Sequence, residues 1–152
     1  MIDAPASACC DLGQSRSSSA KRILVAEDDS DIRRLTRKIL NQSGYHVEAV
    51  EDGAAAWDAL QANHYDLLIT DNEMPRMSGC TLIELIHTAQ MSLPVIMSSA
   101  ILPTAEFIRR PWLKPAATLL KPYRLEEFLN TVRNVLRAHS SVEEQSNNIW
   151  TK

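Results

Sequence analysis

Residues 65–79 read Tyr-Asp-Leu-Leu-Ile-Thr-Asp-Asn-Glu-Met-Pro-Arg-Met-Ser-Gly, and the middle of this stretch decides the fold. Leu67-Leu68-Ile69-Thr70 is a continuous apolar run rather than an alternating one, as expected of a strand buried on both faces, and it leads directly into Asp71. Outward from it, Ile23-Leu24-Val25-Ala26 and Pro94-Val95-Ile96-Met97 repeat the pattern, Thr118-Leu119-Leu120 gives a shorter version, and His46-Val47-Glu48-Ala49-Val50 alternates weakly. Helical spacing fills the intervals. Ile32, Leu35, Ile39 and Leu40 share one face of a helix that Gly44 closes, and Asp52 can cap a second helix carrying Ala56, Trp57 and Leu60. Leu82, Ile83 and Ile86 mark a third helix, and Leu125, Phe128, Leu129, Val132, Val135 and Leu136 mark the last. Five strands alternating with helices predict a doubly wound α/β fold whose five-stranded parallel sheet is covered on both faces.

Ligands of such sheets sit beyond the carboxyl ends of the strands, so those ends are where chemistry is to be sought. The first strand runs into Glu27-Asp28-Asp29, the third into Asp71, the fourth into Ser98-Ser99 and the fifth into Lys121-Pro122. Each has a structural explanation when taken alone: acids at a strand-to-helix junction cap helices, and Asp-Asn and Lys-Pro make turns. Together on one rim they point elsewhere. Carboxylates drawn close repel unless a hard cation takes them up through oxygen, which suits Mg²⁺, and a lysine with a hydroxyl supplies what a phosphoryl group needs.

Composition narrows the classes. The chain has 152 residues, 45% of them hydrophobic, enough for one globular domain. Sixteen Lys+Arg against 19 Asp+Glu leave a net charge of -3, which argues against a general nucleic-acid binder. Four glycines, none in a nucleotide-cradling pattern, argue against dinucleotide or nucleoside triphosphate enzymes. Cys9, Cys10 and Cys80 form no disulfide or zinc pattern, no signal peptide or membrane span is evident, and a cytoplasmic location is expected. Residues 1–20 read as a disordered leader, 21–139 as the folded domain and 140–152 as a disordered tail.

The segments ILVAEDDSD, YDLLITDNEMPRMSG, LPVIMSSA and TLLKPY resemble the signatures of the response-regulator receiver domain across residues 21–139. The most specific piece is Asp71 followed by Met74, Pro75 and Gly79. The resemblance implies a flavodoxin-like (βα)5 receiver fold and assigns roles residue by residue. Asp71 matches the phospho-acceptor, Glu27 and Asp28 the acidic metal pair, and Asp29 a further acid. Mg²⁺ would be held by Asp28 and Asp71, by the backbone carbonyl of Glu73, and by Glu27 through water. Ser99 takes the place of the switch hydroxyl, Lys121 that of the phosphoryl-pairing lysine, and Pro122 that of a cis-proline.

Two departures from the family stand out. Thr118 occupies the switch position where an aromatic ring is usual. Pro103, Pro111 and Pro115 interrupt the stretch between Ser99 and Lys121, so the fourth helix should be short and irregular, a helical piece around Thr104 to Arg110. Trp57 reads as core, whereas Trp112 reads equally as core cover or exposed contact.

The implied function is a switch rather than an enzyme, with phosphotransfer and slow self-dephosphorylation as its only chemistry. A sensor histidine kinase or histidine phosphotransfer protein would supply the phosphoryl group and a downstream protein would read it, without nucleic acid or membrane. One alternative is a Mg²⁺-dependent phosphohydrolase resembling the haloacid-dehalogenase family, although Glu27-Asp28-Asp29 is not its Asp-x-Asp. The other is a pseudo-receiver that binds a partner without phosphorylation.

Overall fold

The computed structural model describes the backbone of residues 20–150 and side chains through residue 140; the expected leader therefore lies outside the described residues except for Ala20. Five strands, β1 (Arg22–Ala26), β2 (His46–Val50), β3 (Leu67–Thr70), β4 (Val95–Ser99) and β5 (Ala117–Leu120), pair in parallel in the order β2-β1-β3-β4-β5. The helices are α1 (Ser30–Gln42), α2 (Gly53–Ala62), α3 (Gly79–Thr88), α4 (Thr104–Arg109) and α5 (Leu125–Trp150), with a 3₁₀ turn at Pro111–Leu113. This is the expected doubly wound fold.

Every residue of β3 and β4 is buried, as the unbroken apolar runs required. Successive side chains of a strand point to opposite faces, and the core divides accordingly. Leu24, Leu68 and Met97 pack on one side with Ala56, Leu60, Leu82 and Ile86 of α2 and α3. Ile23, Ile69, Ile96 and Leu119 pack on the other with Leu40 of α1 and Phe128, Val132 and Leu136 of α5. Each large aliphatic group so enclosed contributes about 1.5–3 kcal/mol relative to exposure.

Polar side chains fix where the helices begin. Asp29, Asp52 and Ser78 each accept backbone N–H bonds from the first turns of α1, α2 and α3, satisfying donors that have no partner inside the helix. The proline-rich stretch folds as its sequence dictates: α4 has six residues and the 3₁₀ turn carries proline in its first turn.

Two expectations need correction. The last helix does not stop near His139 but continues to Trp150, so 140–150 are helical rather than a disordered tail. Ile32 and Leu35 share a helix face with Ile39, yet they remain 37% and 57% exposed and, with Thr36, Ile39, Tyr123, Leu125 and Phe128, line an open groove between α1 and α5. Strand β4 includes Ser98 and Ser99, which the apolar run alone did not reach.

Candidate functional site

Strand order reverses between β1 and β3, and in such sheets a ligand binds beyond the carboxyl ends of the strands at this point. Backbone bonds carry the ladder one residue past each strand and so fix the residues that follow. Glu27 N–H donates to the Val50 carbonyl, Asp71 N–H to the Ala26 carbonyl and Lys121 N–H to the Ser99 carbonyl. The polar residues are thus set by the rigid sheet rather than by mobile loops.

Glu27, Asp28 and Asp71 each offer a carboxylate oxygen, and these oxygens lie within 4.8 Å of one another. Glu27 and Asp71 are buried, whereas Asp28 is exposed. Lys121 Nζ reaches in from β5 to donate to Asp71 Oδ2 at 2.9 Å and to Glu27 Oε1 at 3.0 Å. Burial alone would lower the Lys121 pKa, but the two carboxylates outweigh it and hold the ammonium well above the ordinary lysine range. Burial pushes the Glu27 carboxyl up, with Lys121 pulling against it and the charge of Asp71 and a hydrogen bond with Asp28 adding to the rise.

Three carboxylates and one ammonium leave a site that is still negative and built of hard oxygen donors. That donor set fits Mg²⁺, which prefers one or two carboxylates and retains several waters. The partly open position of Asp28 leaves room for those waters. Glu73 N–H donates to Asp71 Oδ1 at 3.0 Å, so each acceptor oxygen of Asp71 has a defined partner. Gly79 makes this corner possible: a Cβ there would stand 2.5 Å from the Asp71 carbonyl oxygen.

Ser99 is fully buried at the same rim. Its hydroxyl donates to the Ile101 carbonyl at 3.0 Å and lies 3.4 Å from Glu73 Oε1. The Lys121-Pro122 peptide bond is cis, in agreement with the expectation for Pro122. Two assignments do not join the cluster. Asp29 lies outside the group of carboxylates formed by Glu27, Asp28 and Asp71, and its Oδ1 caps α1 by accepting Asp31 N–H at 2.9 Å and Ile32 N–H at 3.2 Å. Thr118 lies opposite Met97 on β5, while Ser99 is opposite Leu120; Thr118 and Leu120 are both exposed around buried Leu119, so Thr118 does not reach the cluster.

The geometry also adds residues that the sequence pattern did not mark. Arg33 donates to the backbone carbonyl of Glu27 at 2.8 Å, fixing the end of β1. The Glu73 side chain faces Ser99, although only its backbone had been assigned a role. Trp112 is 49% exposed and its ring stacks on His87, which answers the question its proline-flanked position left open. Among the described residues no helix is long and apolar enough to cross a membrane.

A family model for the response regulator receiver domain matches residues 23–133. The response regulator receiver protein CpdR of Brucella abortus is 35% identical over 118 residues, covering 78% of this chain and 98% of that protein. The transcriptional regulatory protein RprY of Bacteroides fragilis is 29% identical, covering 85% of this chain but only 55% of the relative. Among solved structures, a CheY-like receiver from Methanospirillum hungatei superposes with a TM-score of 0.76 at 24% identity, covering 81% of this chain and 98% of its own, and supports the fold. The Thermotoga maritima response regulator TrrA, solved in complex with Mg(2+)-BeF, gives a TM-score of 0.66 at 27% identity and covers 76% and 98% of the two chains.

Proposed function

The chain belongs to the response regulator receiver domain family, and from that premise we propose that Asp71 accepts a phosphoryl group from phosphohistidine on a sensor histidine kinase or histidine phosphotransfer protein. The observation that carries this reading is the placement of Lys121 Nζ between Asp71 and Glu27, with three carboxylate oxygens within 4.8 Å of one another. A carboxylate oxygen of Asp71 attacks phosphorus, the P–N bond of the donor breaks, and its electron pair returns to the imidazole nitrogen, which takes up a proton. Lys121 and the Ser99 hydroxyl bind oxygens of the transferring group, where negative charge must be met by preorganised donors.

Asp28, Asp71, Glu27 through water and the Glu73 carbonyl would hold Mg²⁺. Bound there, it would supply positive charge to neutralise the phosphoryl oxygens. Ser99 must leave the Ile101 carbonyl to reach a phosphoryl oxygen. That exchange is the switch: it frees the segment after β4, and a downstream protein reads the rearranged surface. A cytoplasmic location accords with this chemistry.

Beryllofluoride with Mg²⁺ tests the reading, since it mimics an acyl phosphate on a carboxylate. Addition of both should change Trp112 fluorescence in the parent and leave Asp71→Asn unchanged. An equal response in the two proteins would remove Asp71 from the role of acceptor.

A further inference from the structure

The segment that follows the acceptor is tethered to the connection between β2 and α2. Arg76 has φ +68°, a left-handed conformation that L residues with side chains rarely adopt. Its guanidinium bonds to Asp52 and, at 3.3 Å, to Glu51, both in the connection between β2 and α2. Asp52 is 1% exposed and has two tasks: Oδ1 accepts Ala55 N–H at 2.8 Å to cap α2, and Oδ2 receives Arg76. The two connections are closely packed, because a Cβ on Gly53 would meet the Met77 carbonyl oxygen at 2.5 Å.

At the other end of the same segment, Glu73 N–H holds Asp71 Oδ1. A glycine would suit the backbone at position 76 better than arginine. An arginine there is consistent with a task for the guanidinium that outweighs the strained φ. We propose that Arg76 is a positioning residue for phosphoryl transfer: clamped to Asp52, it fixes the segment from Asn72 to Ser78 so that Glu73 N–H aims one oxygen of Asp71. This rests on Asp71 being the acceptor.

Glycine at position 76 separates the clamp from the strain. Arg76→Gly relieves the left-handed φ while it removes the ion pair, two effects of opposite sign, so its Tm should stay close to the parent's. Phosphorylation by acetyl phosphate with Mg²⁺ should nevertheless slow by roughly tenfold, as misplacement of a reacting group predicts. Exchange of the Glu73 amide hydrogen should accelerate by roughly tenfold as its bond to Asp71 loosens. Arg76→Lys restores a charge for Asp52 and should recover part of both effects. Asp52→Asn keeps the cap, because Asn is an equally good N-cap, yet should show the same slowing as Arg76→Gly. Parent-like phosphorylation and Glu73 exchange in a folded Arg76→Gly protein would overturn the proposal. If the parent itself takes up no phosphoryl group, the acceptor reading fails, and Glu73 exchange alone decides whether the clamp aims the Asp71 carboxylate.

Discussion

Lys121 lies at the end of β5 and Asp71 at the end of β3, with β4 between them, and Nζ of the first donates to Oδ2 of the second at 2.9 Å. The lysine therefore spans a whole strand to reach Asp71, and it also pairs with Glu27, which follows β1 on the far side of β3. On the proposed function, a phosphoryl group on Asp71 would give the ammonium a stronger anion to follow, so the same bond that stabilises the site would report its modification.

Removal of that ammonium should leave Glu27 and Asp71 without a counter-charge in a site that is largely buried. Lys121→Ala is expected to lose about 2–3 kcal/mol of stability, less than a fully enclosed pair because the lysine retains some exposure. Mg²⁺ should restore part of the loss by supplying the missing positive charge. Thermal unfolding with and without Mg²⁺ checks this, and a loss that Mg²⁺ leaves unchanged would argue against a shared cation site.

Asp28 is the exposed member of the acidic cluster, so its side chain contributes little to packing. Asp28→Ala should unfold at the parent's temperature or slightly above it in the absence of metal, because one repelling charge has gone. Its Mg²⁺ affinity should fall by more than roughly tenfold, since a carboxylate ligand is lost from a small donor set. Titration of Trp fluorescence with Mg²⁺ measures the difference; equal affinities would remove Asp28 from the metal set.

The pH dependence of stability has an acid limb at Asp52. The bond from Ala55 N–H, opposed by burial and reinforced by Arg76, holds its carboxyl below the usual aspartate range. A carboxyl lowered in the folded state stabilises it above the unfolded pKa of about 3.9, and that contribution disappears as pH falls through the folded value. Asp52→Asn should therefore cost about 1 kcal/mol at neutral pH, the scale of a partly exposed ion pair. The gap between the two unfolding curves should close below about pH 4, and a gap independent of pH would mean that the charge of Asp52 contributes nothing.

Ser99 is expected to couple modification to the segment Ala100 to Lys114. In the resting protein its hydroxyl holds the Ile101 carbonyl, and α4 with the adjoining 3₁₀ turn is tied back to α3 by Arg110–Glu84 at 2.8 Å and by stacking of Trp112 on His87. Beryllofluoride with Mg²⁺ should alter amide-exchange protection across this segment in the parent but not in Ser99→Ala. A change confined to α5 in both proteins would place the responsive surface elsewhere.

Much of this was legible in the sequence because the relevant signals are local. An unbroken apolar run fixes a buried parallel strand, and the residue after it is then placed on the sheet's rim without tertiary knowledge; Glu27, Asp71 and Lys121 stand directly after such runs, whereas the role of Asp28 came with the family resemblance. Three prolines likewise announced the short α4. Asp29 was ambiguous because an acid after a strand serves equally as helix cap and as ligand, and only its hydrogen bonds to Asp31 and Ile32 decide. Residues 140–150 carry no apolar period, so nothing in their pattern marked the continuation of α5. The Arg76–Asp52 pair joins two connections 24 residues apart and leaves no periodic trace at all.

The central claim is that Asp71 is a phospho-acceptor served by Mg²⁺. Incubation with acetyl phosphate and Mg²⁺, followed at once by intact mass measurement, tests it most directly. The parent should gain the mass of one phosphoryl group, with no gain in Asp71→Asn and none when the metal is chelated. A parent that gains nothing, or an Asp71→Asn protein that gains the same mass, would contradict it.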